Sequence, residues 1–308
     1  MAKPEIAFLH LGKTHDEFPA VAAALSALGV RSRLLHLDEA EGVDWSRYAA
    51  INVRECRNYH LHSGFLDRLR QIRALIAPRD FGNSMKAIEG SLDKQSYLPH
   101  LGTSGIALVP DYWPGGPETA TLSAIAEATG WSDFVIKPRV SSKSWNTFRV
   151  QFQGTAVQLW QAGQATPRSY PTLTEATRAV QAVTGEQACF VQRFLPDILT
   201  RGEISYVLLG GRYSHAIHKL PAPDNWLAHE FFGGTNRLVS AERDQIAWAE
   251  SVHERLIEHL GPLHYARIDA IPDRGSLRLL ECELVVPRLF LREAGALLRY
   301  ARVLHGRL

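Results

Sequence analysis

The sequence predicts a mixed α/β and α+β protein, on three observations. The first third of the chain alternates short apolar runs with helically spaced segments, a β-α-β rhythm. From Phe134 onward, strand-like runs are joined mainly by polar loops and hairpin turns. At roughly 100 to 200 residues per domain, a chain of 308 residues, 45% apolar and 21% charged, holds two or three domains. Their cores need no disulfide or metal staple.

In chain order, Ile6 to Leu11 reads as a buried strand. Phe18 to Leu28 is a helix stopped by Gly29, and Arg33 to Leu37 is the next strand. Ala49 to Val53 is a further strand, ending in the polar cluster Arg54 to His60; in an open α/β sheet such a cluster faces a ligand crevice. Phe65 to Ile76 has helical apolar spacing, Pro78 to Ser84 a loop composition. We expect a helix over Leu92 to Leu101, a strand over Ile106 to Val109 and a helix from Pro117 to Thr129 closed by Gly130. Beyond it lie strands Phe134 to Lys137 and Phe148 to Phe152, separated by the polar loop Ser141 to Thr147. Helix Leu173 to Val183 precedes strand Cys189 to Phe194, and Glu203 to Leu209 pairs with Arg212 to Lys219 around Gly210-Gly211. A long helix follows at Ala241 to Leu260.

Charge excludes several functions. With 34 Lys plus Arg against 32 Asp plus Glu, the net charge of +2 carries no nucleic-acid signature. Three scattered cysteines suit a reducing compartment, no apolar run spans a membrane, and the first residues lack a signal-peptide core. The expectation is a cytoplasmic protein with no membrane and no nucleic-acid partner, its oligomeric state open. No G-x-G-x-x-G follows the first strand, so a dinucleotide fingerprint is absent.

The chemistry concentrates near the C-terminus. Strands His264 to Ile271 and Leu277 to Val285 flank the turn sequence Pro272 to Ser276. A three-residue loop at Arg274 to Ser276 would set Asp269 opposite Glu281 and Arg267 opposite Glu283, all on one face. A two-residue turn would break that register. The shared face is either an exposed charge ladder or a site where oxygen ligands hold Mg²⁺ against nucleotide phosphates.

Arg267-Ile-Asp269 followed by Leu280-Glu281-Cys282-Glu283 resembles the magnesium-binding end of the ATP-grasp carboxylate-amine ligases, the superfamily that includes glutathione synthetase and RimK-like enzymes. Glu283 stands where many members carry asparagine. With Leu284 to Leu291 it looks most like the D-cycloserine-forming branch. The remaining motifs follow in family order. Asp93-Lys94 and Phe134 to Pro138 match the two lysines, Lys94 and Lys137, that meet ATP phosphates. Gln192, Phe194 and Leu195 match the adenine hinge, Glu203 the ribose contact, and Lys219 the basic residue facing the transferred phosphate. The glycine-poor loop Ser141 to Thr147 departs from the pattern, and Phe231 to Asn236 resembles the segment closing over the acceptor.

The resemblance implies an ATP-grasp fold with an N-terminal open α/β domain over residues 1–110, a central subdomain over 111–195 and a metal-binding subdomain over 196–308. It implies ATP and Mg²⁺, with Mn²⁺ as a substitute, and metal ligands Asp269, Glu281 and Glu283. Arg267 and Lys219 would be catalytic. The implied reaction is ADP-forming activation of a small amino-acid-like carboxylate as an acyl phosphate, captured by an amine of the same molecule as in D-cycloserine formation. A dipeptide-type ligase is the alternative, and a catalytically idle nucleotide-binding protein a third reading.

Overall fold

The computed structural model describes residues 3–308 apart from Asp80, Thr155, Ala165, Glu293 and Arg307. Its N-terminal unit is a parallel three-stranded sheet in the order β2-β1-β3, built from β1 (Glu5–His10), β2 (Arg31–His36) and β3 (Ala50–Glu55). Helix α1 (Phe18–Ala27) connects the first two strands, and α2 (Phe65–Ile76) follows β3 with the bounds its apolar period predicts. Parallel strands buried on both faces need near-continuous apolar sequence, and Ile6, Ala7, Phe8 and Leu9 are all fully buried.

The next segment differs from expectation in a way that matters for the site. Instead of one helix over Leu92 to Leu101, α3 (Met85–Leu92) ends at Asp93, and α4 (Leu98–Thr103) starts with a proline in its first turn. Asp93 is extended, and its carboxylate accepts from Gln95 N at 2.9 Å to cap a single 3₁₀ turn over Lys94–Ser96. Aspartate competes for nearby backbone N–H groups and Pro99 cannot continue a helix, so the apolar period is cut in two. Nor do Ile106 to Val109 form a strand; Leu108 makes only an isolated bridge to Leu279. Thr121 caps α5 (Leu122–Thr129), which therefore starts later than Pro117, and Gly130 ends it at φ +69° as its position predicts.

A six-stranded antiparallel sheet in the order β4-β9-β5-β6-β7-β8 comprises β4 (Asp111–Tyr112), β5 (Asp133–Pro138), β6 (Phe148–Gln153), β7 (Ala156–Gln161), β8 (Arg168–Tyr170) and β9 (Cys189–Arg193). It is backed by α5 and α6 (Leu173–Thr184) around Phe134, Phe148 and Val150. A five-stranded antiparallel sheet in the order β12-β11-β10-β13-β14 follows α7 (Asp197–Arg201). Its strands are β10 (Glu203–Leu209), β11 (Arg212–Leu220), β12 (Thr235–Val239), β13 (Tyr265–Asp273) and β14 (Ser276–Glu283). Gly210 and Gly211 both take positive φ in the β10–β11 turn, as a tight hairpin requires. Helix α8 (Arg243–Leu260) packs Val252 and Leu256 on this sheet, and α9 (Ala294–His305) sets Tyr300 and Leu304 in a core with Val21 and Leu25 of α1. A smaller apolar cluster unites Val135 of β5, Phe194, Leu195, Trp226 and Leu280 of β14. Among the described residues, no helix is long and apolar enough to cross a membrane.

The β13–β14 turn corrects one expectation and rescues another. Asp273 pairs with Ser276 across a two-residue turn, the geometry that should slip the carboxylates out of register. A register shift between Asp269 and Ala270 intervenes: Ala270 faces Leu279 while Asp269 faces Glu281, so Leu280 is the extra residue of a β-bulge. The bulge restores Asp269 opposite Glu281 and Arg267 opposite Glu283.

Candidate active site

Alternation along β13 and β14, reset by the bulge, brings carboxylate oxygens of Asp269, Glu281 and Glu283 within 4.8 Å of one another. Asp269 is 1% exposed. Burial alone would raise its pKa, but Arg267 and Lys219, with hydrogen bonds from Arg267 and Ser205, hold it down at about 2. The Arg267 guanidinium donates from Nε to Asp269 Oδ1 at 3.0 Å and from Nη2 to Oδ2 at 2.8 Å. Its Nη2 also lies 2.6 Å from Glu283 Oε1, and Nη1 reaches Arg288 O at 3.4 Å. Glu283 is pushed above the ordinary glutamate range, by burial first and by the charges of Glu281 and Asp269, against the pull of Arg267. An all-oxygen donor set this crowded, with a carboxylate raised by its like-charged neighbours, fits a hard divalent cation such as Mg²⁺.

The cations expected at the site surround this face. The helix break at Asp93 turns Lys94 inward, where Nζ lies 3.8 Å from Glu281 Oε2 and 3.4 Å from Ser141 O. Lys137, two strand residues beyond Val135 on the same face, donates to Gln192 Oε1 at 2.8 Å, and burial lowers its pKa. Gln192 in turn donates to Leu280 O at 3.2 Å, linking the six-stranded sheet to the bulge. Opposite each other in the β10–β11 register, Lys219 and Glu203 pair at 2.6 Å, and Lys219 Nζ lies 3.8 Å from Asp269 Oδ2. Burial raises the Glu203 pKa despite that lysine. Leu195 and Phe194 belong to the apolar cluster that includes Leu280, and the Arg149 guanidinium carbon sits 3.5 Å from the Phe194 ring centroid. One face of Phe194 is thus covered. Ion pairs join Lys94, Lys219 and Arg267 to the carboxylate face and Glu203 to Lys219, Lys137 reaches Gln192, and Phe194 and Leu195 share the cluster of Leu280.

Several residues here escaped the sequence reading. Ser205 donates to Asp269 Oδ1 and faces it across the β10–β13 ladder; lying two residues from Glu203, it was legible as a same-face neighbour. Tyr59 is close enough to Glu283 and Glu281 for their charges, after burial, to raise its pKa. Phe290, at φ +53°, holds its ring within about 6 Å of Lys219, Arg267 and Arg288. In the glycine-poor loop, Lys143, Ser144 and Asn146 all take positive φ. That loop touches the N-terminal unit, with Ser142 Oγ 2.9 Å from His60 Nδ1 and Lys143 Nζ 2.8 Å from Asn58 Oδ1.

The carboxyl ends of β1 and β3 also meet the site. Fully buried Arg54 pairs with Glu17 and Glu55 and donates from Nε to Pro287 O at 3.0 Å. Glu17 Oε1 accepts from Leu291 N at 2.6 Å, and Glu55 Oε2 from His15 N at 2.6 Å. These buried bonds clamp the loop after β1 against the segment carrying Phe290.

This pairing of antiparallel sheets around a carboxylate hairpin, fed by an open parallel α/β unit, is the ATP-grasp architecture, and the chain is similar to ATP-grasp ligases over nearly its whole length. In particular, it is 28% identical over 310 aligned residues to the cycloserine biosynthesis protein DcsG of Streptomyces lavendulae, covering 95% of this chain and 94% of that one. The crystal structure of D-cycloserine synthetase DcsG superimposes with a TM-score of 0.77 at 25% identity, over 98% of this chain and 99% of that one. The ATP-grasp ligase PsnB, solved with a phosphomimetic variant of its minimal precursor, Mg and ADP, shares the fold at a TM-score of 0.61 and 14% identity, over 100% and 99% of the two chains. No protein-family model matches the chain.

Proposed function

We propose that this ligase uses ATP to activate a small amino-acid-like carboxylate as an acyl phosphate, and that an amine of the same molecule captures it. The observation that carries the reading is the convergence of Asp269, Glu281 and Glu283 within 4.8 Å, ringed by Lys94, Lys219 and Arg267. Similarity to the cycloserine protein over nearly the full length of both chains supports the intramolecular form and a role in antibiotic biosynthesis. Residues 1–110, 111–195 and 196–308 would then act as the acceptor-facing, nucleotide-covering and metal-binding parts, in a cytoplasmic enzyme.

Asp269, Glu281 and Glu283 would hold Mg²⁺, whose chemistry when bound is to neutralise phosphate oxygens. Lys94 and Lys137 hold the phosphate chain by charge-assisted bonds, while Gln192, Phe194 and Leu195 take the adenine and Glu203 the ribose. Lys219 and Arg267 oppose the charge that develops as a carboxylate oxygen bonds to the γ-phosphorus and the bond to the bridging oxygen breaks, releasing ADP. The tethered amine then displaces phosphate. A tethered nucleophile meets the acyl carbon at an effective concentration far above that of a free acceptor, so one pocket suffices.

The test is ADP release with a single amino-oxy amino acid, β-aminoxyalanine, and no second amine. Stoichiometric ADP, ring closure and trapping of the acyl phosphate by hydroxylamine are expected. An absolute need for a separate amino-acid acceptor would transfer the chain to the dipeptide ligases, and AMP as product would exclude an acyl phosphate.

A further inference from the structure

The cations nearest the metal face are already engaged. Arg267 spends Nε and Nη2 on Asp269 and Glu283 and Nη1 on a backbone carbonyl, and Lys219 is held by Glu203. A different group of cations is bound only to neutral oxygens among the described residues. Among the described residues Lys13, Arg57 and Lys143 make no ion pair, although they crowd one another closely enough for Arg57 and Lys13, after burial, to lower the Lys143 pKa. Like charges gathered so closely cost stability; Glu283 attracts Lys143 and Glu55 attracts Arg57, yet the Lys143 pKa still falls, and an anion would complete the group.

The loop after β1 threads through this group. Arg57 Nη1 donates to Thr14 O at 2.9 Å, and Arg288 Nη2 pairs with Asp16 at 2.8 Å. Between those two anchored positions His15 is 7% exposed, and its Nε2 is buried with no partner among the described residues. Nε atoms of Arg57 and Arg288 are buried and unpartnered in the same sense. Burial, then the charges of Arg54, Arg57, Arg288 and Lys143, hold the His15 pKa at about 2, so the imidazole is neutral and can hydrogen-bond a ligand without adding charge. Unsatisfied buried nitrogens are uncommon, and three around one loop need a ligand to satisfy them.

We propose that Arg57 and Lys143, with the imidazole of His15 alongside, dock the substrate carboxylate that attacks the γ-phosphorus, while Arg267, bound to Asp269 and Glu283, keeps its task at the transferred phosphate. Lys143 belongs to the loop over the nucleotide and Arg57 to the N-terminal unit, so the carboxylate bridges the two. Substrate arrival thereby closes the loop, adding to its contacts at Asn58 and His60. The inference rests on the ligase reading above, but its test separates the two.

Calorimetry of β-aminoxyalanine binding to protein saturated with Mg²⁺ and a non-hydrolysable ATP analogue should show about a ten- to hundredfold weaker dissociation constant in Arg57→Gln and in Lys143→Gln, the worth of a charge-assisted bond. Affinity of Arg57→Gln for the ATP analogue should stay within about twofold of the parent, because only charge-assisted bonds that touch the nucleotide weaken it. Unchanged β-aminoxyalanine affinity in Arg57→Gln, or an equal loss of analogue affinity, overturns the proposal. If the parent binds no β-aminoxyalanine, the substrate reading fails and sulfate tests the pocket alone. Sulfate at fixed ionic strength should then raise the melting temperature of the parent more than that of Arg57→Gln, the general salting-in or salting-out effect being common to both. Equal sulfate shifts overturn the pocket as well.

Discussion

Glu281 and Glu283 stand on one face of one strand, yet their neighbours differ. Glu283 is bound by Arg267 at 2.6 Å, whereas the nearest cation to Glu281 is Lys94 at 3.8 Å. Glu281 is therefore the carboxylate with charge to spare for a metal. Glu281→Gln should abolish ADP release while leaving the melting temperature near that of the parent, and retained turnover would remove the metal assignment. Glu283→Asn should be milder, since asparagine keeps one oxygen ligand; a collapse equal to that of Glu281→Gln would give Glu283 another task. Among the described residues Lys137 hydrogen-bonds only to neutral Gln192, and burial already lowers its pKa. Lys137→Ala should weaken ATP binding by about ten- to a hundredfold, because a charge-assisted phosphate contact contributes roughly 1.5 to 3 kcal/mol. Calorimetry of ATP binding checks it, and an unchanged dissociation constant returns Lys137 to a packing role. Residue identity announced these groups because carboxylates and lysines are costly to bury. Tyr59 and Phe290 stayed silent because an aromatic in an apolar stretch reads as core until its charged neighbours are known.

At the level of elements, the helix break at Asp93 is what delivers Lys94 to the site. Asp93→Ala removes the cap on the 3₁₀ turn and the partner of Arg139, so it should cost about 1 kcal/mol, lower the melting temperature by roughly 2 to 4 °C and also weaken ATP binding. Ser84→Ala removes the cap of α3, where Ser84 Oγ accepts from Ala87 N at 3.1 Å. It should lower the melting temperature by a similar amount and leave ATP affinity alone. If both variants bind ATP equally well, the break does not position Lys94. Local pattern revealed α2 and the β10–β11 hairpin, because each is set by apolar period or glycine turn chemistry within a few residues, whereas the expected register of the carboxylates was reached by a different route, through the bulge at Leu280. It misplaced the helix near Leu92, because the apolar spacing of 92–101 continues through a cap and a proline. The β13–β14 turn was misjudged for a related reason: Leu280 looks like any strand residue, and a bulge is decided by the partner strand. Short strands such as β8, Arg168–Tyr170, carry too few residues for an alternation to register.

Across the whole molecule, folding buries histidines in numbers that set its response to acid. His60, His229 and His253 are each lowered to about 4, by burial foremost, and His15 to about 2. Near pH 5.5 the unfolded chain protonates these side chains, whose ordinary pKa is about 6.5, while the folded chain does not. The unfolded state then binds more protons, so stability falls as the pH falls: the contribution is fully present above about pH 6.5 and is lost progressively as pH drops toward the folded values. Glu55, Glu203 and Glu283 act with the opposite sign, because burial raises them and the folded chain takes up protons first. A single-histidine variant separates the two, since the glutamates are common to both proteins. His253 suits the purpose: it lies on α8 away from the carboxylate face, is 2% exposed, and its Nε2 has no partner among the described residues. Thermal unfolding of the parent and His253→Gln at pH 7.5 and 5.5 should show the parent losing more stability on acidification, the difference reflecting one proton excluded from the fold. Equal losses would mean that His253 protonates freely in the folded chain and that burial does not hold its pKa down.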